Sequence, residues 1–441
     1  MSAGTTEQSE KGRFLRVVSR WEVVALSVND VIGSGVYLLP AAAALALGKA
    51  SVLAVLAAGL AVLLLVLCFA EAGSLFDRPG GAYVYAHAAF GEFVAFEVGW
   101  MTWLARLTSV AGLSAGFAQA STALWKGAGA GWGRAVTIVG VIAILAALNV
   151  VGVKAGARVA AVLAIGKLLP LLLLIAAGAG SISWERIFPI PVPDRKGLGE
   201  AALLLLFAYA GFENTAAPAG EFRNPRRDVP FALLVMIALV TAVYTTIQLV
   251  ALGTVPDLAS SRTPLADSAA SVLGPAGVWI LTVGAMISIL GTNNNTMLAG
   301  PRYLYVLAES GSLPSTLARI HPRWHTPHIA ILVQAGLALP LALSGTFTGL
   351  AALSAIARLA TYIGTAAAVP VLRRKLPATP RSIRLPGGPL IPVAALALCV
   401  LFLLSAEPKN WRAGALALLI GAGIYRFGRR PNPGRDRIST G

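Results

Sequence analysis

Lys167 stands in the run AVLAIGKLLPLLLL and Arg106 in GWMTWLARLTSV. A charge at the centre of such a helix costs about 2.5–3.5 kcal/mol in a membrane, so each should face the protein interior and have a partner there. Two carboxylates sit beside interruptions of apolar runs. Asp30 precedes Gly33, Ser34 and Gly35 in VNDVIGSGVYLLP, and Glu213, with Asn214 and Thr215, follows Gly211 in LLLLFAYAGFENTAAPAGEF. Asn293, Asn294 and Asn295 add a polar run that can both donate and accept. These groups suit recognition and charge coupling rather than bond making. His87, His321, His325 and His328 form no HExxH or His-Asp-Ser pattern, and Cys68 and Cys399 both lie in apolar runs. We therefore expect no enzyme, no metal site and no cofactor. Glu71 and Glu97, nearer the ends of their runs, read as structural.

The elements that must position these residues follow from composition. Of 441 residues 57% are apolar and 12% charged, where a soluble protein carries about 25% charged residues. Crossing a bilayer takes about 20 helical residues. Apolar runs at 22–46, 51–75, 92–122, 134–151, 157–180, 199–219, 229–253, 273–308, 328–344, 348–372, 388–405 and 411–427 give about 12 transmembrane helices in an all-α membrane protein. The polar leader, with Lys11, Arg13, Arg16 and Arg20, has no small-residue cleavage site close behind it and reads as retained. Basic residues gather there, in 373–384 and from Arg426 onward. This bias places both termini in the cytoplasm of a multi-pass plasma-membrane protein. The net charge of +16 then reports topology and attraction to the lipid bilayer, with no nucleic acid partner.

The interruptions in the first and sixth runs stand five spans apart. Opened helix in lipid exposes amides that only protein or a cavity can satisfy. Breaks in matching positions of two halves point to a transporter's midplane site. Close helix packing by small residues is the competing explanation for such glycines.

The chain resembles the amino acid-polyamine-organocation (APC) superfamily through IGSGVYLLP, RPGGAYVYAHAAFG, NVVGVKAGARV, FAYAGFENTAAPAGEFRNPRRDVP, ISILGTNNNTMLAGPRYLYVLAESGSLP, HPRWHTPHIA and RLPGGPLIPV, in the family's order. The resemblance implies a LeuT-type fold of two inverted five-helix repeats with discontinuous helices 1 and 6. The expected divisions are a cytoplasmic tail 1–21, repeats 22–180 and 199–372, helices 11 and 12 in 388–427, and a basic cytoplasmic tail 428–441. It also implies sodium-independent secondary transport of amino acids or related amines by alternating access, with proton symport or exchange.

By the same resemblance, a substrate carboxylate would sit on Ser34 and Gly35, beside Gly33, where a helix N-terminus offers free amides. Carbonyls at Val31, Phe207 and Ala210 would take the ammonium, and Phe207 and Tyr209 are candidate aromatic gates, or plain packing. Asn294 and Asn295 would face the same cavity. Lys167 would occupy the place of sodium in sodium-coupled relatives, contacting the first break and Ser288 or Thr292, either as a proton carrier or as a fixed tether. Arg106 would line the pocket, paired with Asp30 or holding a substrate carboxylate in a two-pronged contact; the Asp30 pair is the arrangement we expect. Glu213 would sense protons or hold the second break open. Two other classes compete with transport: a non-transporting membrane sensor of amino acids with the same fold, and an intramembrane enzyme. The short tails disfavour the first, and the missing nucleophile and metal ligands disfavour the second. Side-chain specificity and oligomeric state are left open.

Overall fold

The computed structural model describes residues 18–428 apart from 78–79, 152–156, 194, 217–218, 220–221 and 325. Most of the expected 1–21 and 428–441 tails, together with His325, lie outside the described residues. Of the described residues 82% are helical, and none lies in a strand.

In the first apolar run, Glu22 accepts from both the amide and the hydroxyl of Ser19, at 2.8 and 2.7 Å, and so fixes the start of α1 (Arg20–Val31). The helix stops before Gly33 and resumes as α2 (Ser34–Leu47). Then come α3 (Ser51–Gly73), α4 (Ala82–Phe90), α5 (Glu92–Ala120), α6 (Gly131–Val151) and α7 (Ala157–Gly178). Helix α8 (Arg195–Ala208) ends in a turn and the single 3-10 turn Phe212–Asn214. It is followed by α9 (Pro225–Thr254), α10 (Pro264–Glu309), α11 (His328–Ser344), α12 (Phe347–Lys375), α13 (Leu390–Ser405) and α14 (Pro408–Gly428). Thr346 caps α12 by accepting from the amide of Gly349 at 3.2 Å.

The twelve expected runs each contain helix, with two additions. The short helix α4 lies in the RPGGAYVYAHAAFG segment, and α10 begins nine residues early, turning at Gly274 (φ 64°). By length and composition, five described stretches can cross a membrane: 34–73, 131–151, 225–254, 264–309 and 347–375. The bent pair α13 and α14 would make a sixth. Of the interrupted helices, α1 and α8 fall outside that group, with 12 and 14 residues, while α2 lies within 34–73.

Helix α5 is the centre of the assembly, buried on nearly every side and packed against α10 and α12, while α3 packs along α9. A helix enclosed all round must satisfy any polar group it carries from its neighbours. Large apolar side chains point outward on the peripheral helices, among them Leu404 and Leu419. Such an outer surface suits lipid as its solvent. At one end Glu71 of α3, 1% exposed, accepts from Nε and Nη2 of Arg373 at 2.6 Å each and from the Leu385 amide at 2.9 Å. This ties α3 to the end of α12 and the chain beyond it.

Candidate functional site

The two interrupted helices cross each other. A Cβ on Gly35 would lie 2.7 Å from Ala208 Cα, so α2 and α8 touch backbone to backbone. Gly211 has φ 128°, and a Cβ there would lie 2.6 Å from the Asp30 carbonyl oxygen. Only glycine fits that conformation and that space. Tyr244 of α9 donates to the Val31 and Ala208 carbonyls, at 3.1 and 3.2 Å, and so spans both interruptions with one hydroxyl.

Lys167 of α7 is fully buried at the first interruption. Its Nζ donates to Asn29 O at 2.9 Å, Ile32 O at 3.2 Å and Thr292 Oγ1 at 3.0 Å. Three donors meet three acceptors, which is what an ammonium group needs when water is absent. Ser288 also donates to Ile32 O, at 3.1 Å. Both expected partners on α10 therefore reach the same unwound turn.

The second interruption is built on Glu213. Its Oε2 accepts from the Gly211 amide at 2.9 Å and from Tyr362 at 3.3 Å. Its Oε1 takes Arg106 Nη2 at 3.1 Å and forms an ion pair with Arg358 Nη1. All of these contacts donate to it, the pattern of an ionised carboxylate. Arg106 also donates to Asn214 Oδ1. Arg358 donates from Nε to Ser354 Oγ at 3.2 Å and from Nη2 to Ser109 Oγ at 2.8 Å. The expected Arg106–Asp30 pair does not form. The unwound turn carries Glu213 to the guanidinium of Arg106, while Asp30 accepts from Asn295 Nδ2 at 2.8 Å.

Between these groups lies a cavity with about 20 Å³ of free volume. Asp30, Val31, Gly33, Ser34, Gly35, Arg106, Phe207, Ala210 and Thr292 line it among the sequence-derived candidates. Ser34 Oγ is buried there without a partner. Val31 O is already taken by Tyr244, and Phe207 O accepts from the Ala210 amide at 3.1 Å, which restricts the carbonyls open to an ammonium group. Three substrate-binding candidates do not line the cavity: besides Asn295, which donates to Asp30, these are Tyr209 and Asn294. Tyr209 turns away to donate to Val55 O at 3.0 Å, and Asn294 accepts from Asn149 Nδ2 at 2.8 Å. Ser109, Thr296 and Arg358 line it and were not assigned to the site by sequence, and Asn214, noted there only as part of the second interruption, lines it too. For Arg358 the signal was present, since an arginine in an apolar run calls for a buried partner as much as Lys167 does.

Apolar helices, two of them broken where a small polar cavity lies, define the class: a multi-helix membrane protein with a polar site between its broken helices. Residues 18–417 match the amino acid permease family, and the chain belongs to it, within the APC superfamily. It is 29% identical over 438 residues to the methylthioribose transporter of Bacillus subtilis (strain 168), covering 95% of this chain and 94% of that protein. From the same organism, the serine/threonine exchanger SteT is 31% identical over 414 residues (90% and 92% covered), and the branched-chain amino acid permease BcaP 26% over 435 residues (93% and 92%). The family and these relatives are permeases and transporters, not enzymes.

Proposed function

We propose that the protein is a secondary active transporter of amino acids, or closely related amines, in the plasma membrane. In this reading twelve spans form two inverted five-helix repeats, 22–180 and 199–372, with two further helices in 388–427 and both termini in the cytoplasm. The observation that carries it is the crossing of the two broken helices, with the Lys167 ammonium seated on the carbonyls of the first. The amide end of α2 at Ser34 and Gly35 is suited to an α-carboxylate. Phe207 and Ala210 line the same cavity.

A free volume of about 20 Å³ holds little more than a water molecule, so an amino acid enters only when the side chains around it move. Alternating access supplies that movement. Lys167 places a fixed cation where a sodium ion would otherwise be needed, which makes transport sodium-independent, by proton symport or exchange. The test is uptake of labelled amino acids and amines into proteoliposomes holding the purified protein, with and without a pH gradient, a sodium gradient and internal substrate. Uptake without sodium, enhanced by outside acid or by internal amino acid, is the expected result. Strict dependence on sodium, or no movement of any amino acid or amine, would refute the proposal.

A further inference from the structure

Arg106 is engaged through one nitrogen only. Its Nη2 meets Glu213 and Asn214, while Nε, in a side chain 2% exposed and lining the cavity, has no partner. Arg358 reaches the same Glu213 oxygen from α12. Glu213 is thus counter-ion to two guanidinium groups. Among the described residues around the crossing, Arg106, Arg358 and Lys167 bring three cations, against the two carboxylates Glu213 and Asp30.

An α-amino acid with a neutral side chain does not change this balance, because its carboxylate and ammonium cancel. In the reading above, its carboxylate takes the amides at Ser34 and Gly35 and adds no net charge beside the guanidinium groups. The unmatched cation and the unbonded N–H of Arg106 both call for one more acceptor carrying negative charge. Nε shares one edge of the guanidinium with Nη2, so a carboxylate that accepts from Nε can make a paired contact only by taking the Nη2 proton that now serves Glu213 or Asn214.

We infer that the transported amino acid carries an acidic side chain, whose carboxylate is received by the unbonded Nε–H of Arg106. This rests on the reading of the crossing as an amino acid site. On entry the side chain adds the missing negative charge and competes with Glu213 for Arg106. The cavity enlarges as Arg106 turns toward the ligand.

The experiment is counterflow in proteoliposomes, with labelled aspartate and glutamate set against asparagine, glutamine, leucine and lysine as competitors. Each acid should half-saturate the carrier at a concentration roughly 10- to 100-fold below that of its amide, the discrimination expected of a charge-assisted paired contact. Arg106→Gln should bring the acid-to-amide ratio close to one, and Arg106→Lys should leave it intermediate. The wild-type comparison stands whether or not the variants fold. A wild-type carrier that takes amides, leucine or lysine as well as or better than the acids overturns the inference and leaves amino acid transport intact. If the wild type moves no amino acid, both readings fall.

Discussion

Replacing Lys167 by methionine keeps the unbranched stem and removes the ammonium, so it isolates the hydrogen bonds that pin the first interruption. Three are lost, to Asn29 O, Ile32 O and Thr292 Oγ1. Hydrogen bonds from a charged donor contribute roughly 1.5–3 kcal/mol each. The loss is not the full sum. Ile32 O keeps Ser288, the single Thr292 hydroxyl proton remains for either Ile32 O at 3.2 Å or Asn29 O at 3.4 Å, and removing the ammonium also removes the cost of burying it. A net effect of about 3 kcal/mol remains, equivalent to a roughly hundredfold fall in the population with the interruption set as described here. Exchange in proteoliposomes should fall by about that factor, and the thermal midpoint in detergent should drop while the protein still elutes as a single folded species. Exchange within about threefold of wild type, with an unchanged midpoint, would refute the view that this ammonium holds the crossing together.

Other perturbations separate the site from its frame. Gly211→Ala meets both a left-handed backbone and the Asp30 carbonyl, so it should abolish exchange and lower the thermal midpoint. Tyr244→Phe leaves Val31 O and Ala208 O without their common donor, at a cost of roughly 1–3 kcal/mol in unfolding measurements, with weakened substrate binding. Glu71→Ala removes the counter-ion of Arg373 far from the cavity and should cost about 3 kcal/mol in stability while leaving the half-saturating substrate concentration unchanged. A raised half-saturation in that variant would mean that this end of α12 is coupled to the site.

The sequence alone located the two interruptions and the charge at 167, because glycine clusters and a lysine in an apolar run are local signals that need no knowledge of packing. What it could not supply was pairing across the chain. Arg106 was expected against Asp30 on the grounds of opposite charge, but Glu213, 107 residues away, is delivered to it by the turn that begins at Gly211. Asn294 and Asn295 looked equivalent in sequence. On a helix, neighbours point about 100° apart, so one meets Asn149 and the other Asp30. For Tyr209 the choice between gate and packing was not legible either: in a turn leaving a helix, side-chain direction depends on dihedral angles that residue type does not reveal, and the ring packs with its hydroxyl on Val55 O. Helix α4 escaped the search for long apolar runs because its nine residues are too few to register as a span.

The central claim is that substrate occupies the cavity where the broken helices cross. Leu113 lines that cavity as a buried apolar residue that takes part in no polar network described above. Leu113→Cys, in a background lacking the two natural cysteines Cys68 and Cys399, gives a single thiol at the site. Its rate of reaction with a small water-soluble thiol reagent is to be measured in a preparation that still transports, with and without a saturating transported amino acid. The account predicts that the amino acid slows labelling in proportion to its occupancy. Labelling unaffected by a substrate that the same preparation demonstrably moves would place the binding site elsewhere and contradict the account.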